Sequence, residues 1–277
     1  MSGANDRYTW IEHLGDFGFG KINVWFDTVL KKKVVSKTLI DPSYENCKRL
    51  IEEGQAYMAL CEHRHIVDLL DYRFNYTDPC LVLPFYETSL QSWIGRTSWY
   101  DSLIVIQHGA LGLQGVRSIR ADHRDIKPSN MYVDRNSEGK WFVRLGDLGL
   151  CRLPRPILDH NLTYNAFGTF GYKAWELYLP DAKFTPECDI FSLGITGIEL
   201  ITGKKDRASI EKAWINNDAK NLLLAMTSFV PSERPSLEKV ISTVTSITQA
   251  HDKSVNTGLK WGLGVLVAAI LFGGGND

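Results

Sequence analysis

A chain of 277 residues with 44% hydrophobic and 23% charged residues can bury a sizeable core, which excludes a disordered or fibrous protein. Its 31 basic and 32 acidic residues leave a formal net charge of −1, which argues against the strongly basic surface of a nucleic-acid binder. Five cysteines, an odd number with no CxxC pair, fit a reduced compartment better than a disulfide framework.

The aromatic and β-branched runs "YTWIEHLG" and "KINVWFDTVL" predict two strands around a glycine-rich turn, and "KKKVVSKTLI" predicts a third. Asp41 and Pro42 are expected to open a helix, with aspartate as cap and proline in the first position. That helix should run through "SYENCKRLIEEGQAYMALCEH", and "IVDLLDYRFN" and "PCLVLPFY" predict two more strands. From about residue 89 the apolar spacing becomes helical, and "SWYDSLIVIQHGALGLQGVRSI" reads as a long helix with a buried face. The polar loop "DHRDIKPSN" follows, then two short strands in "NMYVDRNSEGKWFVRLGD" and a core helix in "CDIFSLGITGIELITG". Further helices reach about residue 250. Strands first and helices afterwards imply an α+β fold of two lobes.

Residues 261–275, "WGLGVLVAAILFGGG", carry no charge and follow a polar stretch, 249–260, read as a linker. About 15 residues make roughly 22 Å of helix, short of the roughly 20 apolar residues that a full span takes. Lys260 and Trp261 stand at its upstream edge, as an interfacial anchor does. A terminal helix docked on the domain is the other reading; a membrane tail is favoured. The N-terminal "MSGANDRYTW" has no apolar core, so no secretory signal is expected.

Three features point to phosphate chemistry. In "LGDFGFGKI", Gly15 and Gly20 frame a turn whose backbone can approach a phosphate. A Walker loop is ruled out, because Ile22 stands where Ser or Thr must hold magnesium and a strand follows instead of a helix. Lys37 lies in an apolar strand, where it can neutralise phosphate oxygens, and Glu52 or Glu53 on the next helix can hold it. Asp147 ends another apolar strand, downstream of Asp125 and Asn130. A carboxylate and an amide that converge can hold magnesium through oxygen.

Over residues 8–248 the chain resembles eukaryotic-type serine/threonine protein kinases, with the family's motifs in order. They are the glycine loop up to Ile22, Lys37, "HRDIKPSN", "DLG" in place of DFG, "GTFGYKAWE" (168–176), "DIFSLG" (189–194) and "ERPS" around Arg234. The resemblance implies a strand-rich N-lobe over about 8–86, a helical C-lobe over about 87–248, and ATP with Mg2+ between them. It implies ATP contacts from Gly15, Gly18, Gly20, Ile22, Lys37, Phe85 and Tyr86, with Glu53 steadying Lys37. Asn130 and Asp147 would hold the metal, Asp125 would accept the proton of a substrate hydroxyl, and Lys127 would steady the transferring phosphoryl group. Lys127 and Thr169 fit the serine/threonine pattern, and Glu176 with Arg234 looks like the family's structural ion pair. Arg124 would receive a phosphate from the activation segment, with Thr163 and Tyr164 as candidate carriers.

Several positions depart from the pattern. Phe17 replaces the middle glycine, Val35 an alanine, Pro84 the hinge glutamate, Asp122 an apolar residue and Trp175 a proline. The family's usual spacing places the helix glutamate at Gly54, one residue beyond Glu53. The expected function is phosphate transfer from ATP to protein hydroxyls, by a domain facing the cytoplasm and tethered at its C-terminus. The alternative is a pseudokinase acting as a binding module at a membrane. The expected partners are a protein substrate and the membrane, without nucleic acid.

Overall fold

The computed structural model describes residues 7–135, 139–151 and 168–272, with side chains for all of these except 135 and 256–272. The first three strands are β1 (Tyr8–Phe17), β2 (Gly20–Asp27) and β3 (Lys32–Leu39). They join β4 (Asp71–Arg73) and β5 (Cys80–Pro84) in one antiparallel sheet of order β1-β2-β3-β5-β4. Alternation along β3 decides which side chains meet. Val34 and Ser36 point to one face, where Trp25 donates to the Ser36 hydroxyl at 2.8 Å and Val82 is buried. Lys37 falls on the other face, opposite Ile22 on β2 and Leu81 on β5.

The helix α1 (Tyr44–Ala59) covers that second face with Leu50, Ile51, Ala56 and Tyr57. Its start differs from expectation. Ser43, not Asp41, is the cap, and its hydroxyl accepts the Asn46 N–H at 3.4 Å. Pro42 therefore lies outside the helix, and the Asp41 carbonyl is used by the Asn46 side chain at 3.1 Å. A serine three residues before an available N–H competes with the Asp-Pro signal, and here it prevails.

The larger region is helical. α2 (Trp99–Ser118) is capped by Ser98 and packs against α3 (Pro186–Thr202), which is buried throughout from Cys188 to Leu200. Between them in sequence, β6 (Met131–Arg135) and β7 (Trp141–Leu145) form a two-stranded ribbon with Met131 opposite Leu145. α4 (Arg207–Lys212) and α5 (Asn217–Met226) complete the core with α6 (Leu237–Phe272). The sheet-rich N-lobe and the helical C-lobe make the α+β architecture that the motif order implies.

The helix α6 runs on through 249–260, where a linker was read from polarity. Residues 249–257 hold no glycine or proline to stop a helix. Two contacts fasten this stretch to the start of α2: Tyr100 donates to Asp252 at 3.1 Å, and the His251 ring lies edge-on to Trp99 at 5.1 Å. Among the described residues, no helix is long and apolar enough to cross a membrane. The apolar stretch 261–275, and with it the expected membrane tail, lies outside the residues whose side chains are described.

Candidate active site

The alternation that turns Lys37 toward α1 sets up the first cluster. Lys37 Nζ donates to both Glu53 oxygens at 2.8 Å and to Asp147 Oδ1 at 2.9 Å. Glu53, not Glu52, is the partner, and it is buried. The family spacing overshot by one residue onto Gly54, and that glycine has its own packing reason. A Cβ there would clash with the Phe74 ring and stand 2.7 Å from Leu81 Cδ2. The close approach brings α1 within reach of β3.

One ammonium serves two carboxylates. Burial works against charge on Lys37, but Asp147 and Glu53 outweigh it and hold its ammonium above the ordinary lysine range. The Lys37 charge in turn holds Asp147 below the usual carboxylate range. Burial pushes Glu53 up to about 7, with Lys37 opposing. One cation cannot fully compensate both anions, and the more buried carboxyl takes the penalty.

Asp147 follows β7 at φ 56°, ψ 67°. Its N–H donates to the Tyr57 hydroxyl oxygen at 2.8 Å. Gly146 N–H donates to the Asn130 carbonyl at 2.9 Å, which ties this segment to the second cluster.

That second cluster lies on the loop 122–130. Lys127 Nζ donates to Asp125 Oδ2 at 2.7 Å and to Thr169 Oγ1 at 2.8 Å. Thr169 Oγ1 donates to Asp125 Oδ1 at 2.7 Å, and Asn130 Nδ2 donates to the Asp125 carbonyl at 2.9 Å and to Oδ2 at 3.0 Å. The Asn130 nitrogen is thus engaged with Asp125, which leaves its Oδ1 as the atom with lone pairs to offer a cation. The loop is held from below by Asp189 on α3, whose two oxygens accept the N–H groups of His123 and Arg124, both at 2.9 Å. His123 Nε2 donates to the Gly146 carbonyl at 3.2 Å.

The glycine loop is the β1–β2 turn. Gly15 (φ 143°) and Gly18 (φ 60°) both occupy the positive-φ region. The Phe17 ring folds back over Gly15, where a Cβ would stand 3.2 Å from the ring, and it remains 63% exposed. Gly20 faces the Lys37 stem at 3.3 Å, measured from an added Cβ. Ile22 lies opposite Lys37 in the ladder. Phe85 and Tyr86 follow β5: Lys33 Nζ sits 5.1 Å from the Phe85 ring centre, and Tyr86 stacks on Tyr132 of β6 at 5.2 Å. Val35 pairs with Leu83, and Pro84 ends the strand opposite Val34.

Other departures find partners. Asp122 bridges Arg117 at 2.6 Å and Arg124 at 3.7 Å, so its charge is answered where an apolar side chain was expected. Trp175 Nε1 donates to the Phe229 carbonyl. Glu176 and Arg234 form a bidentate pair at 2.6 and 2.8 Å. The candidate phosphate carriers Thr163 and Tyr164 lie outside the described residues.

Sequence reasoning missed Tyr57 as a partner of Asp147, and it took Asp189 only as a landmark of the "DIFSLG" motif. The one available signal for Tyr57 was its helical spacing of four from Glu53. The hydroxyl-to-backbone contact across 90 residues left no trace in the spacing.

The protein kinase domain family matches residues 8–245. The chain is 29% identical over 260 residues to the cysteine-rich receptor-like protein kinase 26 of Arabidopsis thaliana, covering 83% of this chain and 37% of that protein. It is 30% identical over 221 residues to the LRR receptor-like serine/threonine-protein kinase FEI 2 of the same plant, covering 73% and 36%. A third relative, its proline-rich receptor-like protein kinase PERK2, is 30% identical over 216 residues, covering 74% and 29%. The match therefore spans only about a third of the length of these curated relatives. The family match over most of the chain and the assembled catalytic-loop motif together place this chain in the eukaryotic-type protein kinase family.

Proposed function

We propose that this chain is a serine/threonine protein kinase that moves the γ-phosphoryl group of ATP to a protein hydroxyl. The observation that carries this reading is the Asp125 carboxylate, which accepts a hydrogen bond from the Thr169 hydroxyl and lies beside the Lys127 ammonium. A substrate hydroxyl in the same setting would be oriented by Asp125 and would give up its proton to it. Lys127 would neutralise charge on the group in transfer. Lys37 would meet the nucleotide phosphates from the N-lobe side, held charged by Glu53 and Asp147.

The residues fit Mg2+ and ATP. Asp147 and Asn130 offer oxygen donors of the kind magnesium takes, and the positive-φ glycines 15 and 18 leave backbone open to phosphate. Bound magnesium would supply charge neutralisation for the phosphates. The test is transfer of radiolabelled γ-phosphate to a generic protein, followed by identification of the labelled amino acid. Label on serine and threonine supports the reading, and no label with a well-folded protein contradicts it.

The alternative of a binding module without transfer rests on Phe17, whose ring covers Gly15 in the loop that would approach ATP. It predicts no label in that assay. C-terminal anchoring, with the catalytic domain on the cytoplasmic face, belongs to the same proposal and rests on the uncharged stretch 261–275.

A further inference from the structure

The turn between β2 and β3 leads into the longest run of lysines in the chain, Lys31, Lys32 and Lys33, and residues 28–40 include no acid. The turn is braced from inside the fold. Asp27, fully buried at the end of β2, accepts the Val29 and Leu30 N–H groups on Oδ1, both at 2.9 Å. Its Oδ2 is held by Arg7, through Nε at 3.0 Å and Nη2 at 2.9 Å. Arg7 also reaches Asp71 at 3.4 Å, and Tyr8 donates to the same Asp71 oxygen at 2.8 Å. Both acids of this corner are therefore already answered. Among the described residues, Lys31 and Lys32 form no ion pair, and Lys33 lies over the Phe85 ring. The same turn leaves aliphatic side chains in water: Val29 is 69% exposed and Leu30 40%. Lys31, at φ 53°, holds a left-handed position that glycine would take at less cost. Turn tips in water are ordinarily built from Gly, Asn, Asp or Ser. This one sets two aliphatic side chains beside three ammonium groups on a rigid support.

We propose that the β2–β3 hairpin tip docks on the anionic surface of a lipid bilayer, with Val29 and Leu30 entering the headgroup boundary and Lys31, Lys32 and Lys33 meeting lipid phosphates. A bilayer boundary is apolar beneath and anionic above, which matches aliphatic and ammonium groups carried on one tip. Each lysine near such a surface strengthens binding about fivefold, so three together amount to roughly a hundredfold. The Asp27 brace holds the turn in shape beforehand, which lowers the ordering cost of docking. The proposal goes beyond phosphate transfer, and it holds whether or not residues 261–275 anchor the chain.

The test is acetylation of lysines in the full chain by an N-hydroxysuccinimide ester, read residue by residue by mass spectrometry. Vesicles of phosphatidylcholine alone are compared with vesicles carrying about a third phosphatidylglycerol, an anionic lipid without an amine. Anchoring by 261–275 would bring the chain to both kinds of vesicle alike, so the comparison isolates the tip. On the anionic vesicles Lys31 and Lys32 should label at least about threefold more slowly than on the neutral ones. Lys212 and Lys239, exposed in the C-lobe, should label equally on both. The protection should weaken at about 0.5 M salt, where surface charges are screened. Val29→Ser with Leu30→Ser, two exposed positions checked for folding by a thermal melt, should lose most of the protection. Equal labelling of Lys31 and Lys32 on the two kinds of vesicle would overturn the proposal. So would protection that the double serine variant retains in full. Protection by polyglutamate in solution as strong as that by the anionic vesicles would assign the tip to acidic polypeptides and overturn the bilayer.

Discussion

At the scale of single residues, the sharing of Lys37 between Glu53 and Asp147 makes the strongest demand. Lys37→Met would leave two carboxylates close together with no ammonium between them. Phosphate transfer should fall by at least about a hundredfold, read by the radiolabel assay. The same variant has a pH signature. Glu53 is already pushed up to about 7 with Lys37 present, and losing the cation pushes it higher. A carboxyl whose folded pKa lies above its unfolded value contributes stability at low pH and loses it as pH rises through the folded pKa. The gap in melting temperature between wild type and Lys37→Met should therefore widen as pH rises above about 7. A gap that narrows over that range would contradict the assignment of Glu53. The motifs that carry the family resemblance named positions 37, 125, 127, 130 and 147, and the structure brings Lys37 to Asp147 and both Lys127 and Asn130 to Asp125; their roles at a nucleotide belong to the proposal. Glu53 was legible only to within a residue, because counting along a chain cannot see which helix face a sheet will meet.

At the scale of elements, the seating of α1 depends on Gly54. Alanine is favoured over glycine inside a helix by about 1 kcal/mol, yet a Cβ here would meet Phe74 and Leu81. Overpacking of that kind costs about 1–3 kcal/mol. Gly54→Ala should therefore destabilise the protein in denaturant melts, against the usual helix rule, and weaken transfer by loosening Glu53 from Lys37. The Glu176–Arg234 pair is the counterpart in the C-lobe. Arg234 also donates to the carbonyls of Ser228 and Glu187, both at 3.0 Å, so it braces three segments. Arg234→Ala should cost about 3–5 kcal/mol, as breaking one side of a buried pair does. Burial alone would raise the Glu176 carboxyl, but the Arg234 hydrogen bonds hold it below its ordinary value. The pair's contribution is thus fully present above the unfolded carboxylate range and is lost as pH falls below that range through the lower folded value. In Arg234→Ala that acid-side loss should be smaller than in the wild type. Periodicity revealed α2 and α3 because their apolar runs are long. The start of α1 was misread because Asp41-Pro42 and Ser43 offer two competing starts, and only the hydroxyl-to-Asn46 contact decides between them.

At the scale of the whole molecule, two lobes bring the Lys37 and Asp125 clusters together, joined through Gly146 and Asn130. The order of strands and helices was enough to read that plan, since a strand-rich stretch is followed by a longer helical one. The helix through 249–260 was not legible and was read as a linker, because polarity alone does not separate a coil from the exposed end of a long helix such as α6. If 261–275 anchors the chain, deleting residues 259–277 should move the protein from the membrane fraction to the soluble one. A full-length protein already in the soluble fraction would contradict the anchor and leave the catalytic reading untouched. The central claim is tested most directly by radiolabelled phosphate transfer from ATP, comparing wild type with Asp125→Asn purified in the same way. The account predicts label on serine or threonine for the wild type and a loss of at least about a hundredfold for the variant. Equal labelling by both would contradict it.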